Sequence, residues 1–154
     1  MQITMTDADR KIIRETLTSL LSRREHSQAE LLTKLAMKGL DPSLSRSVLA
    51  DFVERGWQSD ARFAQSFVRQ RVAKGQGEMR IRAELRARQV GESDIYQALE
   101  ALSPDWFESA LLVYQRKYSQ PAGDWKEQQK RMRYLQYKGF SNEQIRYACD
   151  AAFD

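Results

Sequence analysis

Residues 31–48, LLTKLAMKGLDPSLSRSV, have two counterparts further along the chain: residues 81–98, IRAELRARQVGESDIYQA, and residues 131–148, RMRYLQYKGFSNEQIRYA. The offset is 50 residues each time. Leu35, Leu85 and Leu135 share a column, as do Lys38, Arg88 and Lys138, then Leu40, Val90 and Phe140, and then Val48, Ala98 and Ala148. Gly39 and Gly139 match, and Gln89 departs. Arg131 stands in the column of Leu31 and Ile81, so either Met132 takes over that core place or the helix is rotated there. A fixed period of this length marks a modular array. Such arrays are elongated and offer long faces rather than one deep pocket.

Working outward from the repeat, the spacing predicts three units, 1–57, 58–103 and 104–154. Each reads as three helices, because apolar residues recur at helical spacing with almost no strand-like alternation. In the first unit Ile12, Ile13, Leu17, Leu20 and Leu21 mark one helix. Ser27 to Glu30 reads as a capping box opening the next. Asp41-Pro42 reads as an N-cap followed by proline at the first helical position. In the second unit Ser59 or Asp60 caps a helix bearing Phe63, Ala64, Phe67 and Val68, which Lys74-Gly75-Gln76-Gly77 breaks. The third unit adds a looser connection, Ser119 to Asp124, and a second capping box from Ser141 to Gln144. The expected fold is all-α: tandem three-helix repeats, about nine helices in an elongated, curved array.

The 154 residues carry a net charge of +4, a mild pointer to a polyanionic partner. Units of about 50 residues are marginal alone and are expected to lean on one another. Cys149 aligns with Leu49 and Leu99 and reads as a core residue. One cysteine and one histidine build neither a disulfide framework nor a usual zinc site. Met1 to Arg14 lacks the apolar stretch of a signal peptide, and no run is long enough to cross a bilayer. A soluble, intracellular protein is expected.

No catalytic constellation, cofactor motif or phosphate-binding loop is visible. The glycines at 75 and 77 lie between helices and read as plain loop residues. Glu78–Arg82 and Glu84–Arg88 read as solvated helix pairs. His26 reads as a surface or capping residue, and Trp57, Trp106 and Trp125 as packing residues near the unit junctions. The basic residues carry the stronger signal. Residues 69–88 hold seven basic side chains against two acids, and residues 116–138 hold the same balance. Each window nets +5 and occupies the equivalent place in its repeat, so stacked repeats can join them into a stripe. Such a stripe suits phosphates or an acidic protein surface. Tyr134 and Tyr137 flank the second window and read as packing residues or as platforms for unpaired bases.

The run Gly56 to Ala64, followed by Arg69, Arg71, Lys74 to Gly77, Arg80-Ile81 and Glu84-Leu85, resembles the signature of RecX regulatory proteins. Ser22 to Ser27, Glu30-Leu31 and Lys34-Leu35 resemble that family's first repeat; Lys117-Tyr118 and Tyr137 to Phe140 resemble its last. Gln58 departs where the family usually has an apolar residue, and Gln89 where it usually has glycine. The resemblance implies a bacterial cytoplasmic, non-enzymatic protein that binds RecA and lies in the groove of the RecA–single-stranded DNA filament. It further implies modulation, mainly inhibition, of recombinase, ATPase and coprotease activity in DNA repair and the SOS response. A direct DNA-binding module that competes for DNA is the alternative. The expected contacts are Arg69, Arg71, Lys74, Arg80, Arg82, Arg86 and Arg88, with Lys126, Lys130 and Arg133 as a second set. No catalytic residue, metal or cofactor is expected, and the chain is expected to act as a monomer.

Overall fold

The computed structural model of the chain describes residues 5–154. The leader reading of Met1 to Arg14 therefore falls partly outside the described residues. Among these there are nine helices and no strand: α1 (Met5–Arg23), α2 (Gln28–Met37), α3 (Pro42–Glu54), α4 (Asp60–Ala73), α5 (Glu78–Ala87), α6 (Glu92–Leu102), α7 (Trp106–Lys117), α8 (Trp125–Lys138) and α9 (Asn142–Ala151). Among the described residues no helix is long and apolar enough to cross a membrane.

Local sequence chemistry sets the boundaries. Ser27 and Glu30 form a reciprocal capping box on α2, and Ser141 and Gln144 form another on α9. Asp41 caps α3 with Pro42 in its first turn, and Ser59, rather than Asp60, caps α4. Each such cap contributes about 1 kcal/mol by satisfying an amide the helix cannot pair internally. At the other end, Gly39, Gln89 and Gly139 all take left-handed backbone, with φ of 75, 59 and 106°. Gln89 thus makes the glycine-type turn with a side chain in place.

The repeat columns become the core. Leu35, Leu85 and Leu135 are fully buried, each in a different apolar cluster. In the second and third units the first and third helices make the broadest contact, α4 with α6 and α7 with α9; in the first unit α3 packs equally on α1 and α2. Trp106 packs against both the second and third clusters and ties those units together. A compact protein of this mass exposes about 8,000 Å². This chain exposes 9685 Å², as an elongated array with separate cores should.

Several expectations need correction. Ile12 is exposed and stands off the apolar face. Trp125 is 77% exposed, because the first position of α8 points away from the core. Arg131 has neither yielded its column to Met132 nor rotated away. It stays buried, donating to the Gln120 carbonyl (2.7 Å) and the Tyr114 hydroxyl (3.1 Å) and pairing with Glu127 (3.2 Å). His26 is buried at 2% exposure, its Nδ1 3.0 Å from the Arg24 carbonyl. Cys149 is half-buried against the third core, and burial pushes its thiol above the ordinary range.

Candidate interaction surface

The second helices of the repeats, α2, α5 and α8, follow one another along the array. Where the second and third units meet, the C-terminal turn of α8 abuts the N-terminus of α5. The Gly77 amide donates to the Lys138 carbonyl (2.8 Å) and the Met79 amide to the Gly139 carbonyl (3.1 Å). These groups belong to helix ends that have no internal partners. The approach requires glycine twice. A Cβ on Gly77 would overlap the Gly139 carbonyl, and one on Gly139 would overlap Arg80. Gly77 is therefore a joint between repeats, not a plain loop residue.

This joint brings the two basic windows together. Lys74, Gly75, Val113, Arg116, Lys117, Tyr134 and Lys138 line a groove of about 220 Å³ that contains no carboxylate. The Lys138 ammonium lies 3.4 Å from the Lys74 carbonyl. Burial first, then the charges of Arg80 and Lys117, hold it below the ordinary lysine value. The Lys117 ammonium sits 3.7 Å from the centre of the Tyr134 ring, and the Arg80 guanidinium lies 4.9 Å from that of Tyr137. These are cation–π arrangements that hold positive charge in place without neutralising it.

From the joint the charge continues along α8. Lys126, Lys130, Arg133 and Tyr137 recur at spacings of four, three and four residues, which places them on one helix face. The three cations are exposed and line a second shallow groove of about 290 Å³ with Asp124 and Glu127. Glu127 is already paired with Arg131. Tyr137 is 71% exposed at the end of that face, whereas Tyr134 is half-buried against the third core.

The remaining expected contacts are occupied to different degrees. Arg69 is exposed on α4. Arg71 and Arg88 bracket the Phe67 ring at 4.5 and 4.9 Å. Arg71 also pairs with Glu84 (3.4 Å), and Arg88 with Glu30 of the first unit (3.6 Å). Arg80 takes the other Glu84 oxygen at 3.0 Å. The expected Glu84–Arg88 ion pair is thus replaced, and Arg88 donates instead to the Glu84 carbonyl. Arg82 does pair with Glu78 (3.4 Å), and Arg86 pairs with Glu92 (2.6 Å). Sequence reasoning left Arg116, Lys117 and Lys138 out of the contact set. Their signal was Gly77 facing Gly139 across one joint, where the previous joint has Ser27 and Gln89.

The first joint is made by side chains. Gln58 is buried and donates to the His26 carbonyl (3.1 Å) and to Asp60 (2.8 Å). Asp60 accepts from the Gln28 amide (2.9 Å), and Arg62 pairs with Glu25 (3.3 Å). The polar residue at position 58 is therefore a bridge between units.

Comparison with known proteins agrees with this architecture. Residues 59–99 match the family model for the second three-helix domain of RecX, and residues 104–149 match that for the third. A regulatory protein RecX of Chromohalobacter salexigens is 42% identical over 141 residues, covering 92% of this chain and 93% of that protein. One of Vibrio vulnificus is 45% identical over 136 residues, covering 88% and 89%. A crystal structure of regulatory protein RecX superposes with a TM-score of 0.78 at 26% identity, covering 92% of this chain and 73% of that one. RecX from Lactobacillus salivarius shares the fold, with a TM-score of 0.76 at 19% identity over 94% and 97% of the two chains. On these matches the chain belongs to the RecX family of regulatory proteins.

Proposed function

We propose that this protein is a non-enzymatic, cytoplasmic regulator of RecA that acts as a monomer in the groove of the RecA–single-stranded DNA filament. It restrains recombinase, ATPase and coprotease activity during DNA repair and the SOS response. Family membership supports the regulatory role. One observation carries the placement: the carboxylate-free cation groove at the joint of the second and third repeats, continued by Lys126, Lys130 and Arg133 along α8. A partner's phosphates or carboxylates would supply the missing negative charge. The three units, bounded at 1–57, 58–103 and 104–154, give a face long enough to touch more than one RecA protomer.

Lys74, Lys126, Lys130 and Arg133 form the primary contacts, joined by Arg116, Lys117 and Lys138, with Arg69 beside them. Arg71, Arg80, Arg82, Arg86 and Arg88 contribute less, because each must first give up a partner within the chain. The test reverses charge where no ion pair is lost, only the ring contact of Lys117 with Tyr134. Arg116→Glu with Lys117→Glu should raise the concentration needed to inhibit RecA's DNA-dependent ATP hydrolysis at least tenfold, or about 1.4 kcal/mol. The melting temperature should fall by no more than a few degrees, the cost of about 0.5–1 kcal/mol for that ring contact. Unchanged inhibition would move the contact surface elsewhere.

Exposed Tyr137, beside Lys130 and Arg133, favours a second reading in which the protein binds single-stranded DNA directly by base stacking. A phosphate-tracking protein loses affinity for bare DNA steeply with salt. Inhibition that persists at salt levels abolishing bare-DNA binding would favour the filament over free DNA.

A further inference from the structure

The joint between the first and second repeats follows the plan of the other joint but does not close. The positions equivalent to Gly77 and Gly139 are Ser27 and Gln89. The Ser27 amide already donates to the Glu30 carboxylate (3.0 Å), and its hydroxyl accepts from the Glu30 amide (3.1 Å). Ser27 therefore has no amide free to meet a carbonyl of α5, and Gln89 brings a side chain where Gly139 has none. Between α1, α2 and the end of α5 a cleft of about 740 Å³ remains.

Leu20, Ala29, Met37 and Ala87 give the cleft an apolar lining. Met37 is 81% exposed there. Arg23, Lys34, Lys38 and Arg88 also line it, against a single carboxylate, Glu30. Burial would raise the Glu30 pKa, but hydrogen bonds from Arg24 and the Ser27 amide hold it below its ordinary value, so it is ionised and already paired. Arg23, Lys34 and Lys38 are exposed and have no ion-pair partner among the described residues. No aromatic ring lines the cleft to stack a base.

We infer that this cleft is a docking site for an acidic peptide segment bearing an apolar anchor side chain. The anchor enters among Leu20, Ala29, Met37 and Ala87, and flanking carboxylates meet Arg23, Lys34 and Lys38. Charge complementarity selects the acidic partner, and the apolar lining without rings separates it from a nucleic acid. The site lies at a different joint from the cation groove, so it stands or falls independently of the DNA- and filament-facing surface.

The test uses the full chain and a fluorescein-labelled peptide of about ten residues, in which aspartates and glutamates flank a central Phe-Leu pair. Anisotropy should report micromolar binding, with amide shifts in nitrogen-15 spectra at Thr33, Met37 and Ala87. Binding should weaken at least about fivefold with Lys34→Glu and Lys38→Glu together. It should weaken similarly when serines replace the Phe-Leu pair, and stay unchanged with Lys126→Glu and Lys130→Glu. Lys34 and Lys38 are exposed, so the double variant should melt with the wild type. Absence of binding, or binding indifferent to the anchor or to Lys34 and Lys38, would overturn the inference. So would a thymidine oligonucleotide that shifts the same amides more strongly, which would give the cleft to nucleic acid.

Discussion

Gly39 and Gly139 hold the same place in their repeats, and both take left-handed backbone, yet their surroundings differ. A Cβ on Gly39 would meet open space, whereas one on Gly139 would run into the Arg80 backbone and Cβ. Gly39→Ala should therefore cost about 1 kcal/mol for the backbone alone. Gly139→Ala should add an overpacking cost of about 1–3 kcal/mol. Urea denaturation of both variants measures the difference, and equal losses would mean that the joint is not closed. His26 gives a pH signature. Burial, its largest influence, lowers its pKa from about 6.5, so the unfolded chain binds the proton more readily. Its contribution is complete above 6.5 and is lost as pH falls through that value towards the folded-state pKa. Glu30, also lowered, loses its share only below about 4.5. Cooling of the melting point between about pH 7.5 and 5.5 should be smaller in His26→Gln, which installs the residue that Gln76 provides one repeat on. Parallel pH profiles would contradict this. The sequence leaves His26 at a surface or cap position because its covering comes from Gln58, 32 residues away in the next unit.

At the scale of the element, α8 is the helix whose sequence departs most from the repeat. The connection before α5 is Lys74 to Gly77, but the one before α8 runs from Tyr118 to Asp124. That longer loop needs a donor, and Arg131 supplies it from the column that Leu31 and Ile81 fill with apolar side chains. Its guanidinium reaches the Gln120 carbonyl and lies 4.3 Å from the centre of the Tyr118 ring. Arg131→Leu should keep the core but lose about 1.5–3 kcal/mol of charge-assisted hydrogen bonding. Amide exchange across residues 119–123 should quicken, and unchanged exchange there would remove Arg131 as the anchor. The odd residue in the column was visible in the sequence. Its partner was not, because the loop carbonyl it satisfies has no side-chain signature.

For the whole molecule, the 50-residue period was enough to read three units, their helices and their core columns, because burial repeats with the sequence. What the period did not reveal is how the units meet. Gly77 with Lys138 and Gln58 with His26 are pairings between repeats, and only the folded chain brings them close. The same limit applies to the basic windows. Their charge was countable, but which cations are already paired, as Arg82 and Arg86 are, depends on geometry. The outcome is one closed joint that gathers unpaired cations and one open joint that leaves a cleft. The central claim is that this array restrains the RecA filament. The most direct measurement is RecA's DNA-dependent ATP hydrolysis on preformed filaments, with this protein added well below the RecA concentration. A slow, strong fall in rate is expected. An unchanged rate at stoichiometric amounts, together with clear binding to bare DNA, would contradict the claim.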